Sequence, residues 1–435
     1  MAALYTLPER TGLVMAMTRR ELLLALPGLT SGPGARRMRL IGAEAFLYLL
    51  PILELARTRD RQFRAGLTSN TFRHVRELSD ARSRLVTTPN NDTLYSSAWL
   101  DLSHDAVVEL PATGGRYLSI ALMDAFSNNV QVVRAHPNRP VSAPLSRYVD
   151  GRAGSRWVWA LGRTFSKGGD DSEAARALQD EIRIVLAGPP SGDPGTGRLP
   201  NRADVGAVFA SAGALLSEVT PPPADSAAVA RFRRIAVGRG LSYPGKLSAS
   251  DQAAVEDGAR QALSGLKFGD GELKGGWLFP RSALGHFGTD YAYRASVALT
   301  GLGALPLSEA LYLKAAGPEG DGVYDGRRTY QIRFAPGRLP PVDAFWSLSL
   351  YEVTPEGQLF FFDNPLNRYA VGTDPAQLHK EDDGGIVITM AAVRPLGAKN
   401  WLPAPQGRFA LQLRAFRPKQ TLIDGRYVPP PVIEV

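Results

Sequence analysis

The 435-residue chain has no cysteine. That excludes disulfides, thiolate metal sites and a cysteine nucleophile together. No Gly-x-Ser-x-Gly elbow and no complete phosphate loop of the Gly-x-x-x-x-Gly-Lys-Ser/Thr type occurs. Neither a serine-hydrolase turn nor a nucleotide cradle is therefore written in the sequence. The five histidines (His74, His104, His136, His286, His379) stand far apart, with no paired spacing. They offer no metal motif, and no cofactor is implied. No internal period of 20–50 residues is evident, which argues against a solenoid.

Charge is also thinly spread. The net charge is +8, and half of it falls in residues 1–39, which hold six Arg and two Glu. No Lys/Arg-rich block follows in the body of the chain. A nucleic-acid reader concentrates its charge on a patch, so that partner is not expected.

What is present is a globular composition, 44% apolar and 21% charged. Its length predicts two or three units of roughly 150 residues. Gly (44) and Pro (33) occur singly and in short clusters, a pattern that suits short strands joined by tight turns.

Near the N-terminus, Arg19-Arg20 precedes the apolar run Leu22 to Leu29, and small residues follow to Ala35. That is the order of an export signal of twin-arginine type, so residues 1–38 read as a leader and the mature protein as periplasmic or secreted. The alternative is an amphipathic helix on a cytoplasmic protein. The run is too short to cross a bilayer, and no transmembrane segment is expected.

Further on, Arg39–Thr58 carries apolar residues at helical spacing (Ile41, Phe46, Leu49, Leu50, Ile52, Leu53), and Pro51 is expected to kink or end it. From Leu85 to Leu161 the period becomes two, as in Thr93–Leu102 and Arg116–Asp124. Asp171–Leu186 returns to helical spacing. Residues 187–200 form a breaker-rich loop. Helical patterns then run to Leu266, one between Asp225 or Ser226 and Gly238, another from a Ser248–Asp251 capping box. Beyond Ala316 alternation resumes, in Thr329–Phe334, Ala344–Val353, Gly385–Ala392 and Arg408–Phe416. The expected fold is mainly β with a helical insert. Two antiparallel β-sandwich or jelly-roll-like domains, 39–186 and 291–435, flank a helical connecting segment, 187–290.

Two sets of motifs resemble a known pairing. Thr88-Pro-Asn-Asn-Asp-Thr-Leu-Tyr95, Trp99-Leu-Asp101-Leu and Gly115-Arg-Tyr117 resemble the domain-of-unknown-function family 1254. Pro340-Pro-Val-Asp-Ala-Phe-Trp-Ser-Leu348, Asp363-Asn-Pro-Leu-Asn-Arg-Tyr369, Asn400-Trp-Leu-Pro-Ala-Pro405 and Leu413-Arg414 resemble its usual partner, family 1214. The resemblance covers residues 40–186 and 290–435. It implies a tandem of two β-sandwich or jelly-roll-like domains, often in exported bacterial proteins. It implies no particular reaction.

Three constellations could carry chemistry. Asn90, Asn91, Asp92 and Tyr95 read either as turn chemistry or as a carboxylate base with a phenol donor. Asn364, Asn367 and Arg368 read either as a loop with a structural ion pair or as a planar fork for an anionic group. Asn400, Trp401 and Arg414 read either as the closure of a sandwich or as a ligand platform. Alternation puts Arg414 and Gln412 on the strand face opposite Phe409, Leu411 and Leu413.

The functional expectation is a hydrolase for a small polar or glycan-like substrate, with its cleft at the junction of the modules. Asp92 would activate water, and Arg368 or Arg414 would steady developing negative charge. Asp92 and Arg368 are expected in one cleft, with Trp401 or Tyr95 on its wall. The alternatives are a non-catalytic envelope protein that binds a small molecule or glycan, and a purely structural β-protein.

Overall fold

The computed structural model describes residues 32–84, 86–151, 154–188, 199–266, 271–374 and 378–435. The Arg19-Arg20 pair and the Leu22–Leu29 run lie outside the described residues. Among those described, no helix is long and apolar enough to cross a membrane.

The first module is a two-layer β-structure. Its strands are β1 (Arg73–His74), β2 (Thr93–Asp101), β3 (Ala106–Leu110), β4 (Leu118–Met123), β5 (Asn129–Arg134), β6 (Val141–Pro144), β7 (Trp157–Phe165) and β8 (Arg183–Leu186). They form an antiparallel five-stranded sheet, β1-β2-β7-β4-β5, and a three-stranded sheet, β6-β3-β8. Period-two alternation sends Ala98, Leu100, Ile120, Leu122, Val158 and Ala160 toward Val108, Leu110 and Ala143 of the smaller sheet. The opposite face of the five-stranded sheet carries Trp99, Ala121, Trp159 and Leu161, and it packs on the second module through Phe345 and Phe416.

The second module repeats the plan. Its strands are β9 (Gly271–Lys274), β10 (Trp277–Pro280), β11 (Ala310–Ala315), β12 (Tyr324–Asp325), β13 (Tyr330–Phe334), β14 (Val342–Val353), β15 (Leu359–Phe360), β16 (Ala370–Gly372), β17 (Ile386–Ala391), β18 (Asn400–Pro403), β19 (Arg408–Pro418) and β20 (Ile433–Glu434). An eight-stranded sheet with the path β15-β14-β19-β11-β10-β9 faces a four-stranded sheet, β18-β17-β13-β20. Leu311, Leu313, Trp346, Leu348, Leu411 and Leu413 fill the layer between them with Ile332, Phe334, Ile388 and Met390. Only β17–β18 is paired in parallel among the described ladders. The fold is thus β-rich and two-domain, as the alternation predicts.

Helices form a third core. They are α1 (Pro33–Arg64), α2 (Asp171–Asp180), α3 (Val205–Ser217), α4 (Ser226–Phe232), α5 (Ala249–Ser264), α6 (Tyr291–Thr300) and the short α7 (Gln420–Ile423). Phe46, Tyr48, Leu50 and Leu53 of α1 pack with Val208, Phe209, Phe232, Val255, Ala259 and Ala295 from α3 to α6. The insert is therefore a helical unit nucleated on the N-terminal helix, and α1 belongs to it more than to the first sandwich. The expected Ser248 cap is present: its hydroxyl accepts from the Asp251 amide at 3.1 Å.

Four local expectations need correction. α1 continues through Pro51, because packing of its buried face on the other helices outweighs the lost hydrogen bond. Helix α2 stops at Asp180, and Arg183–Leu186 becomes β8. There the β-branched Ile184 and Val185 gain a ladder with β3. The α4 region ends before Gly238, because Ala236 turns left-handed at φ +55°. The connecting segment also ends in strands: β9 and β10 form a hairpin on the edge of the eight-stranded sheet.

Candidate site between the two β-modules

The layer between the five-stranded and eight-stranded sheets is unusually polar for a buried interface. Alternation creates it. On β11, β14 and β19, residues of one parity fill the second core, and those of the other parity face the first module. The register aligns Phe345 with Phe416 and Ala310, then Ser347 with Arg414 and Tyr312, then Ser349 with Gln412 and Lys314. Across the gap, Tyr95 aligns with Arg163, and Arg163 with Ser119.

The first module enters this layer through the Thr88–Asp92 turn. Asn90 shapes the turn: its oxygen accepts from the Asp92 amide at 2.7 Å, and its amide nitrogen donates to Thr93 Oγ1 at 3.0 Å. Asn91 ties it to Ser79 O. Thr88 sits at φ +52°, an uncommon conformation for a β-branched residue. Contacts from the second module hold it there. Its amide donates to Leu359 O at 2.8 Å, and its carbonyl accepts from Arg414 Nη2 at 2.9 Å.

Arg414 is 1% exposed. It also donates to Ser349 Oγ at 2.7 Å and Pro89 O at 3.1 Å, while its Nε has no partner. Its guanidinium lies over Tyr312 and Tyr351, at 5.2 and 5.6 Å. Burial works against its charge, yet Tyr351, Tyr312 and Asp92 around it hold its pKa above the ordinary value. Asp92 is 8% exposed and accepts from Ser347 Oγ at 2.7 Å. Burial raises its carboxyl pKa, against the opposing pull of Arg414 and the Ser347 hydroxyl.

Arg163, on β7, is the second buried cation. Nη2 donates to Gly303 O at 2.8 Å, and Nε and Nη1 have no partner. The guanidinium stands 5.4 Å from the Tyr95 ring. Burial again opposes the charge, and Tyr95, Tyr312 and Tyr117 keep it in place. Among the described residues neither Arg163 nor Arg414 forms an ion pair. Nearby Glu309, fully buried, is committed elsewhere: it accepts from Tyr117 Oη at 2.7 Å and pairs with Arg134.

Tyr312 and Lys314 open the layer to solvent. Tyr312 is half-buried, and desolvation pushes its phenol up to about 12 against the pull of Arg163 and Arg414. Lys314 keeps an exposed side chain, yet desolvation by surrounding protein lowers its pKa.

The structure gathers only part of the sequence-predicted set. Asn90, Asn91, Asp92, Tyr95 and Arg414 meet at this layer. Arg368 does not pair with Asp92: its Nη1 donates to Trp401 O at 3.0 Å, and burial with neighbouring Arg394 lowers its pKa. Asn364 closes its own loop, accepting from the Leu366 and Arg368 amides. Asn367 is left-handed at φ +47° and accepts from Tyr369 Oη. Asn400 staples His379 to Val387 and is fully buried. Trp401 donates its indole N–H to Ala391 O at 2.8 Å. Every recorded bond of Asn364 lies within its own loop, and Asn400 bonds only to the His379 and Val387 backbone. A separate groove of about 480 Å³ on the outer face of the four-stranded sheet is lined by Gln331, Arg333, Asp383 and Lys399 among others, and none of the predicted residues lines it. Among the described residues no three His, Asp or Glu gather as a metal site.

Sequence reasoning missed Arg163, Tyr312, Lys314, Ser347 and Ser349. A signal existed: Arg163 and Lys314 are cations at single positions inside strands whose neighbours are apolar, Leu161-Gly-Arg163 and Leu313-Lys314-Ala315.

Residues 69–185 match the family described as Protein of unknown function (DUF1254), and residues 309–420 match Protein of unknown function (DUF1214). The two matches cover more than half of the chain. The chain is a tandem DUF1254–DUF1214 protein. The Thr88–Asp92 turn lies in the first matched segment, and Tyr312, Lys314, Ser347 and Arg414 lie in the second. The interface therefore joins the two family domains. The VPA0106 protein from Vibrio parahaemolyticus, a crystal structure 20% identical in sequence, covers 92% of this chain and 100% of its own at a TM-score of 0.68. It shows that the whole tandem fold recurs. A putative uncharacterized protein from Burkholderia cenocepacia is 14% identical, with a TM-score of 0.45, covering 96% of this chain and 93% of its own. No curated protein matches the chain.

Proposed function

We propose that this tandem protein binds a small organic anion, most simply an aryl carboxylate, at the junction of its two β-modules. One observation carries the reading: Arg163 and Arg414 are buried at the interface without a carboxylate bonded to either, and Lys314 stands exposed on the same face as Tyr312. Burying a cation costs free energy unless opposite charge accompanies it. Asp92 offsets one of the two. A bound carboxylate would offset the other, while the Tyr95 and Tyr312 rings would flank an apolar body. Recesses at domain junctions are the usual place for such ligands.

The test is calorimetric titration with phenyllactate, with neutral 2-phenylethanol and glucose as controls. Phenyllactate should bind with an affinity that falls with salt, and Lys314→Gln should weaken it about tenfold, the size of one charge-assisted hydrogen bond. Binding of glucose or 2-phenylethanol at equal strength would overturn the anion reading in favour of a neutral or glycan ligand.

A second reading is hydrolytic turnover with Asp92 as the base. The raised carboxyl pKa of Asp92 favours it, because a base poised nearer neutrality transfers protons best. Asp92→Asn would then abolish turnover of a phenyllactate ester and leave phenyllactate binding in place. Equal turnover in both proteins would remove Asp92 from the chemistry. For localisation we infer export, supported by Arg19-Arg20 and the Leu22–Leu29 run. N-terminal sequencing of the fractionated protein tests it, and an intact N-terminus in the cytoplasm would refute it.

A further inference from the structure

His74 sits where the edge strand β1 meets the end of helix α2. On β1 it stands opposite Ser96 of β2. Its Nδ1 lies 2.8 Å from Ser96 Oγ, and its ring stacks on Phe72 at 5.9 Å. Ser96 is fully buried, and so is Gln179 in the last turn of α2. The Gln179 amide nitrogen donates to Tyr95 O at 3.1 Å, to Ser96 Oγ at 3.2 Å and to Val75 O at 3.3 Å. One glutamine thus fastens α2 to both strands of the β1–β2 ladder, and Ser96 joins it to His74.

These bonds fix the protonation of the ring. Ser96 Oγ already accepts from Gln179, and its own hydrogen has one recorded acceptor, His74 Nδ1. That bond needs Nδ1 bare, so the proton of the neutral ring belongs on Nε2. Charging the ring adds a hydrogen at Nδ1. Two donors then face each other, or the Ser96 hydroxyl turns away and leaves its hydrogen unpaired in a fully buried place. Of the charged groups facing the ring, Arg76 and Arg183 repel an imidazolium and Asp180 attracts it. Asp180 is already paired with Arg76. Burial, then Arg76, holds the pKa of His74 below its ordinary value. The ring is only half-buried, so solvent protons reach it.

We propose that His74 is an acid-sensitive latch, which locks α2 and the β1 edge onto the first sheet when neutral and releases them when protonated. The latch stands independently of the anion reading. The unfolded or released segment takes up its proton near the ordinary value of 6.5, and the docked ring only below it. The contribution of the latch to stability is therefore full above pH 6.5 and is lost as pH falls through the lower docked value. Little else opposes release. β1 is two residues long, and of the ten residues of α2 only Ser172, Ala175 and Gln179 are buried. Release also takes the Gln179 bond from the Tyr95 carbonyl, which loosens the strand that brings Tyr95 to the interface between the modules.

The experiment is amide hydrogen exchange on the full chain at about pH 8 and about pH 5, with rates corrected for their intrinsic pH dependence. Protection of residues 73–76 and 171–180 should fall about tenfold or more toward acid, while β17 in the second core keeps its protection. His74→Asn places an acceptor that does not titrate near the Nδ1 position, and should keep both segments protected at both pH values. No loss in the wild type, or an equal loss in the variant, would overturn the latch. NMR titration of the histidine rings covers the case of a variant that fails to fold. The wild-type His74 ring should titrate below 6.5, and Ser96→Ala, which removes the hydroxyl that demands a bare Nδ1, should raise its pKa. A value at or above 6.5, or one that Ser96→Ala leaves unchanged, would equally overturn it.

Discussion

Asp92 and Ser347 stand 255 positions apart in sequence and share a 2.7 Å hydrogen bond across the two modules. Around that bond, Arg414 holds the Thr88 and Pro89 carbonyls, and Tyr351 Oη donates to Pro89 O at 2.9 Å. The turn is thus docked on the second sheet by charge-assisted and neutral bonds together. Ser347→Ala should leave the buried Asp92 carboxylate short of a donor and cost about 1–3 kcal/mol in urea unfolding. In an Asp92→Asn background the same change should cost less, with a coupling of at least about 0.5 kcal/mol. Strictly additive losses would show that the bond does not join the modules in solution.

Arg414→Lys keeps the charge and loses the fork. The guanidinium serves Ser349, Thr88 and Pro89 at once and stacks on Tyr312 and Tyr351. A single ammonium cannot reproduce that planar arrangement. Stability should fall by about 1–3 kcal/mol, the cost of leaving buried acceptors unpaired. An unchanged urea midpoint would mean that the Thr88 turn is held by other contacts.

Much of this fold is legible in the sequence because burial imposes a period. Leu118, Ile120 and Leu122 on β4, or Ile332 and Phe334 on β13, declare a core face two residues at a time. The Asn90–Asp92 turn is equally plain, since its three Asx residues cluster within one turn, and Arg414 stands out as a cation in an apolar strand. The rest of the site does not. Ser347, Ser349 and Tyr312 look like ordinary outward residues of amphipathic strands, and only the stacking of a second sheet on that face buries them. Arg368 misled for the reverse reason. An arginine in a turn-rich loop reads as a free fork, but it donates to the Trp401 carbonyl of the nearby strand β18. Strand alternation tells which residues share a face, and only topology tells what that face meets.

A titrating group sits outside the site as well. Asp124, in the β4–β5 turn, accepts from the Phe126 and Asn128 amides at 2.9 Å each. Burial raises its pKa from 3.8 to about 6, against these bonds and the nearby Arg294. Between those two values the folded state keeps a proton that the unfolded chain has released, so this group's contribution to stability is full below pH 4 and falls as pH rises to 6. The ceiling is about 3 kcal/mol, at 1.36 kcal/mol per pKa unit. Asp124→Asn, which keeps an acceptor oxygen, should remove that decline. The wild-type-minus-variant stability, measured by urea unfolding at several pH values, should drop across this window and stay level above pH 7. A difference that rises with pH would show a carboxyl stabilised in its charged form.

The helical unit makes a steric prediction that no charge enters. Gly42 of α1 and Gly258 of α5 face each other's helices so closely that an added Cβ would lie 2.1 Å from Val255 O and 2.0 Å from Arg39 O respectively. Backbone atoms cannot rotate aside as a side-chain tip does. Gly258→Ala raises intrinsic helix propensity by about 1 kcal/mol, and that gain competes with forcing the helices apart. Separating them opens gaps along the packed face of Phe46, Leu50 and Ala259, and overpacking of this kind costs about 1–3 kcal/mol before any void is counted. The net effect should be destabilising, by about 1 kcal/mol or more. Ala259→Gly, one residue away, should lose both propensity and packing and serve as the scale. The exposed Arg260→Gly should lose propensity plus about 0.2–0.5 kcal/mol from its i,i+4 pair with Glu256. If Gly258→Ala raises the urea midpoint instead, the helices do not approach this closely in solution, and the α1–α5 crossing would have to be wider than the glycines indicate.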